Sequence, residues 1–77
     1  MLSACMLIRA ESGKFEEVAG NLKRVPGVVR VFPVLGRFDI VADVEAANGK
    51  ELSRAVLKAN KMAGIVFTET LPQVEVG

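Results

Sequence analysis

The stretch VLGRFDIVADV, residues 34–44, sets an ionised group, Asp39, at the mouth of an apolar, β-prone run and precedes it with Gly36, Arg37 and Phe38. A carboxylate in such a turn bonds to nearby amides, pairs with the adjacent guanidinium, or receives the ammonium group of a ligand. Glycine lets backbone amides approach an anion closely, and the planar fork of an arginine matches a carboxylate. Further along, Thr68 and Thr70 place two hydroxyls on one side of a β-rich run, where threonine is also an ordinary strand residue. Glu69 lies on the opposite side, a place for a solvated or interface-paired carboxylate.

Other chemistries lack their residues. The chain has no histidine, tyrosine or tryptophan and a single cysteine, Cys5, which removes Cys-x-x-Cys metal carriage and any histidine-based metal or nucleophile–base arrangement. Asp39, Asp43 and Glu45 are strung along one run without an oxygen-rich loop, so no metal site is expected. SGK at 12–14 is too short for an anion cradle and reads as a helix cap. No catalytic residue and no cofactor are therefore expected. With a net charge of +1 and no basic cluster, and with Phe38 alone as a stacking platform, direct nucleic-acid binding is not expected either. The apolar runs fall far short of the roughly 18 residues that span a bilayer, and the N-terminus lacks signal-peptide order. A lone cysteine in an apolar run suits a reducing compartment, and the expected location is the cytoplasm.

The elements that position these residues follow from periodicity. Half of the 77 residues are hydrophobic, enough for one folded domain. Residues 2–9 alternate with apolar types on both parities, a strand covered on two faces. In 11–25 the period changes: Phe15, Val18, Ala19, Leu22 and Val25 form one helical stripe, with Ser12 as its cap and Pro26-Gly27 as its stop. VVRVFPVL (28–35) reads as an edge strand because of Pro33, and FDIVADVE (38–45) as its antiparallel neighbour across a short link. Asn48 caps a second helical stripe of Leu52, Ala55, Val56, Ala59 and Ala63; Leu57 lies off that stripe. IVFTETL (65–71) closes the domain, and Val74 and Val76 could prolong that strand beyond Pro72. The order is βαββαβ, with an internal echo between GKFEEVAGNLKRVPGVVRVFPV and GKELSRAVLKANKMAGIVFTETLP. Two βαβ halves predict a ferredoxin-like α+β sandwich, a four-stranded antiparallel sheet with both helices on one face.

That leaves one sheet face without helices. Parity places Ala4, Met6 and Ile8 against Cys5 and Leu7; Val28, Phe32 and Val34 against Val29, Val31 and Leu35; and Phe38, Ile40, Ala42 and Val44 against Asp39, Val41 and Asp43. Most of the open face is apolar, whereas an isolated two-layer domain would be polar there. A homodimer formed sheet to sheet about a two-fold axis is expected, the dimeric α+β barrel type.

VLGRFDIVADVE followed by AGIVFTETL, together with VPGVVRVFPVLGRFDI and ELSRAVL, resembles the effector-binding domain of the leucine-responsive and asparagine-operon regulators, the Lrp/AsnC family, over nearly the whole chain. Full members carry a helix-turn-helix before this domain; here Met1 leads directly into the first strand, so the chain resembles the stand-alone form, a RAM domain spanning 1–77 without a DNA-binding domain. The resemblance implies dimers that assemble into rings, often octamers, with amino-acid effectors in clefts between dimers. It implies ligand-binding residues Gly36, Arg37, Phe38, Asp39, Thr68 and Thr70; Phe38 lacks the hydroxyl of the tyrosine often found there. The expected function is an amino-acid-sensing module of transcription regulation that co-assembles with a full-length Lrp/AsnC regulator or another partner. The alternatives are an interaction module with an empty cleft, or a small dimeric α+β barrel enzyme.

Overall fold

A computed structural model describes residues 1–73. Its elements run β1 (Leu2–Ala10), α1 (Phe15–Leu22), β2 (Val28–Pro33), β3 (Ile40–Ala46), α2 (Gly49–Asn60) and β4 (Ile65–Pro72). The four strands form one sheet in the order β2-β3-β1-β4, antiparallel at every pairing. This is the expected ferredoxin-like α+β sandwich. The core lies between sheet and helices: Met6, Ile8, Ile40, Ala42 and Val44 from the central strands meet Val18, Leu22, Val25, Ala55 and Ala59. β3 and β1 are central because their alternate residues are apolar enough to be covered completely. Val74 and Val76, the expected prolongation of β4, lie outside the described residues.

Both helices are shorter than their stripes, for identifiable reasons. Lys14, not Ser12, is the first flanking residue of α1, and no side chain caps it. Ser12 sits in a separate turn closed by the Lys14 amide donating to the Glu11 carbonyl at 2.9 Å. After Leu22 the chain tightens into i→i+3 bonds, Arg24 to Asn21 and Val25 to Leu22, both at 3.1 Å. Val25 therefore still reaches the core from outside the α-helix. Asn48 caps α2 as expected, its Oδ1 accepting from the Glu51 amide at 2.9 Å. α2 ends at Asn60, and the following turn carries Met62 onto the core while Ala63 faces out, the reverse of what an unbroken helix would do.

The strand parities hold in β1 and, from Ile40 onward, in β3, and fail in β2. A bulge between Val28 and Arg30 pairs Val28 with Val44 and Arg30 with Asp43, so Val28 and Val31 pack on the core while Arg30 and Phe32 turn to the open face. A second register shift, between Arg9 and Ala10 opposite β4, lets Ile65 join the core as well. No helix among the described residues is long and apolar enough to cross a membrane.

Candidate functional site

The 34–39 connection turns at Gly36, whose φ of +122° lies in the region that disfavours a side chain although a Cβ there would meet nothing within 4 Å. Leu35 and Arg37 project into solvent on either side of it. Asp39 then returns the chain to the sheet. Its amide donates to the Ile8 carbonyl at 2.9 Å and its carbonyl accepts from the Val34 amide at 3.0 Å, which extends β3 by one rung. Its side chain does more than close the turn: Oδ2 accepts from the Ala10 amide on β1 at 2.9 Å. That donor lies on the β3 side of β1, past the last paired rung at Ile8 and Ile40, so the carboxylate satisfies an amide that the β1·β3 ladder no longer reaches. Neither the turn amides nor Arg37 hold Asp39 among the described contacts. One carboxylate oxygen is thus engaged, and the group keeps acceptor capacity for a further donor.

Phe38 precedes β3 and does not follow its parity. Its ring stacks on Phe67 of β4, centroids 6.1 Å apart and planes at 21°, on the side of the sheet away from the helices. Thr68 and Thr70 pair with Ile8 and Met6 and face the helix layer. The Thr68 hydroxyl donates to Asn60 Oδ1 at 2.7 Å, tying β4 to the end of α2. The turn and the threonines are therefore separated by β1, roughly 10 Å across the sheet at ordinary strand spacing, and address opposite faces. Within one chain they line no common cleft. Asn60, Phe67 and the Ala10 amide are partners that sequence reading misses, because each belongs to an element distant in sequence.

A different group of polar residues gathers at the other end of the open face. Arg30 Nε lies 3.2 Å from Asp43 Oδ2, and the guanidinium stands 4.7 Å from the centroid of Phe32. With Ser3, Cys5, Glu45 and Leu71, Arg30 and Asp43 line an open depression of about 600 Å³. Burial first, and then the adjacent Asp43 carboxylate, push the Cys5 thiol above the usual cysteine range. Around this group the face is apolar: Val41 is buried, Cys5, Leu7 and Phe32 are half-buried, and Phe67 and Leu71 are 56% and 48% exposed.

Known proteins share this fold. Residues 3–75 match the family model of the Lrp/AsnC ligand binding domain. The HTH-type transcriptional regulator FL11 of Pyrococcus horikoshii is 31% identical over 68 residues, which are 88% of this chain and 45% of that protein. The chain thus spans about half the length of the curated relatives it matches. Among solved structures, TTHA0845 from Thermus thermophilus superposes with a TM-score of 0.91 at 28% identity, covering 100% of this chain and 98% of that one. The feast or famine regulatory protein of M. tuberculosis complexed with L-methionine shares the fold, with a TM-score of 0.79 at 18% identity over 99% of this chain and 52% of that one. Composition, topology and the family match over residues 3–75 converge, and the chain belongs to the Lrp/AsnC ligand binding domain family.

Proposed function

We propose that this chain is an effector-sensing module of transcription regulation, working in the cytoplasm and binding a free amino acid at the Gly36–Asp39 turn. The observation that carries the reading is the state of Asp39, whose carboxylate is anchored through one oxygen to the Ala10 amide beside an open glycine turn and an exposed arginine. An α-ammonium group takes the remaining carboxylate lone pairs, Arg37 takes the α-carboxylate, and the Gly36 amide is approachable. Thr68 and Thr70 lie too far away in the same chain to join this turn, so their part in the site belongs to a neighbouring chain of an oligomer. In that reading two copies cover each other's open sheet faces, and such dimers assemble further, up to an octamer. The L-methionine held by the M. tuberculosis protein of the same fold supports an amino acid as the effector class. In this reading the module over residues 3–75 acts by co-assembling with full-length Lrp/AsnC regulators.

Calorimetric titration against the twenty amino acids tests the proposal. Saturable heat with at least one of them, abolished in Arg37→Ala, is the expected result, and flat traces throughout would overturn it. A second reading, an interaction module with no ligand, is favoured by one specific finding: Phe38, Asp39 and Thr68 each already have an intrachain partner. Flat traces from a folded oligomer would select that reading.

A further inference from the structure

We propose that the outer face of α2 is a docking surface for an acidic, helix-forming segment of a partner protein, with Lys50, Arg54, Lys58 and Lys61 receiving its carboxylates and Leu57 its apolar side. The inference goes beyond the effector reading and does not depend on it. α2 covers the core side of the sheet, so its outer face stays open whether or not a second copy covers the other side.

At 3.6 residues per turn, Lys50, Arg54, Leu57, Lys58 and Lys61 fall within about 100° of one another around the axis and run about 16 Å along it. All five are exposed, Leu57 at 55% in the middle of the row, while Ala55 and Ala59 turn to the core. Lys50, Lys58 and Lys61 have no ion-pair partner among the described residues. Arg54 approaches Glu51 at 3.5 Å, but both side chains are more than half exposed, so water screens the pair and leaves the row positive. The helix dipole accounts for cations at the C-terminal end, at Lys58 and Lys61, and opposes Lys50 in the first turn. The α1 segment, by contrast, mixes exposed Glu16 and Glu17 with Lys23 and Arg24, so the single sign is a property of α2.

The surroundings of the row decide what covers it. A depression of about 230 Å³ borders Arg54 and Lys58, with Pro26 and Ala55 as its apolar lining and Glu51 at its rim. It is smaller than the roughly 300–1,000 Å³ of small-molecule pockets and has room for a single side chain. The cations are therefore flanked by apolar surface on two sides, Leu57 on one and this depression on the other. A nucleic acid would bring phosphates to the row but nothing apolar to its flanks, and none of the four phenylalanines lies on α2 to stack a base. An amphipathic helix laid along α2 brings both. Its carboxylates three and four positions apart match the spacing of Lys50, Arg54, Lys58 and Lys61, and two apolar side chains on the same face cover Leu57 and enter the depression.

Fluorescence anisotropy tests this with a labelled peptide of about 16 residues, long enough to hold a helix, that carries glutamates and leucines on one face. A glutamine-for-glutamate analogue and a labelled DNA duplex serve as comparisons. The acidic peptide should saturate, weaken as salt is added, and bind about tenfold or more tighter than its glutamine analogue. Lys50→Glu and Lys58→Glu should each weaken it by about tenfold, and Leu57→Ser by about threefold or more. Lys50→Glu is the sharpest variant, because an acid in the first turn suits the helix dipole and its loss of binding cannot come from a weakened helix. Circular dichroism melts confirm folding; should Lys58→Glu fail to fold, Lys58→Gln must still weaken binding and its salt dependence. No saturation, equal binding of the glutamine analogue, or variants that bind like the wild type would overturn the proposal and leave the effector reading standing. Two further results overturn it by naming another occupant. Duplex binding lost in Lys50→Glu without peptide binding would make the row a nucleic-acid surface, and a lower mass of both charge variants by light scattering would give it to a second copy.

Discussion

Under the proposed function the Asp39 carboxylate both holds the fold and meets a ligand, and substitution separates the two tasks. Asp39→Asn keeps an oxygen acceptor for the Ala10 amide, so the variant should melt near the wild-type temperature while losing amino-acid binding with the charge. Asp39→Ala leaves that amide without its partner and should cost about 1–2 kcal/mol, seen as a lower urea midpoint. Equal destabilisation by both would show that the charge itself is structural. Cys5 offers a second check at this scale. With its thiol held up by burial and by Asp43, less thiolate is present at a given pH than for a free cysteine. Alkylation should therefore rise at a more alkaline pH than for a free cysteine, and Asp43→Asn should move that rise toward lower pH. Folding favours the protonated thiol, so its contribution to stability is complete at neutral pH and declines as the pH climbs through the alkaline range.

The two βαβ halves end their helical segments in the same way, with Gly27 at φ +99° and Gly64 at φ +92° just before β2 and β4. The resemblance between VPGVV and MAGIV is therefore a resemblance of backbone shape. At Gly64 a Cβ would stand 2.8 Å from Val18 Cγ2, so strain and collision act together there. Gly64→Ala should destabilise by about 2 kcal/mol or more, whereas Asn48→Ala, which removes one cap from α2, should cost about 1 kcal/mol. Thermal melts of the two variants give the order, and a Gly64→Ala protein as stable as the cap variant would contradict the crowding. The helix ends were the least legible part of the sequence. The tightened turn after Leu22 and the unwinding after Asn60 keep apolar residues on the core by changing the helix type, and a fixed 3.6-residue period does not register such a change.

For the molecule as a whole, the open sheet face decides behaviour. Leu7 and Val41 sit at its centre, with Phe67 and Leu71 exposed toward one edge. Leu7→Asp should leave the helix-side core untouched, since Leu7 points away from it, yet give a mass near the 8.2 kDa of one chain where the proposed assembly of the wild type gives at least twice that value. Dimeric Leu7→Asp protein would move the interface elsewhere. What the sequence by itself determined is the class of fold, the strand order along the chain and the apolar character of both sheet faces, because alternation and helical stripes are local patterns that burial enforces residue by residue. Tertiary structure alone decided that a bulge sends Arg30 and Phe32 to the open face, that Asp39 serves the Ala10 amide, and that Phe38 rests on Phe67 while Thr68 holds Asn60. A one-residue slip in pairing reverses every later side chain, and partners far apart in sequence meet only once the sheet has closed its register, so neither could be read from the chain before it folded.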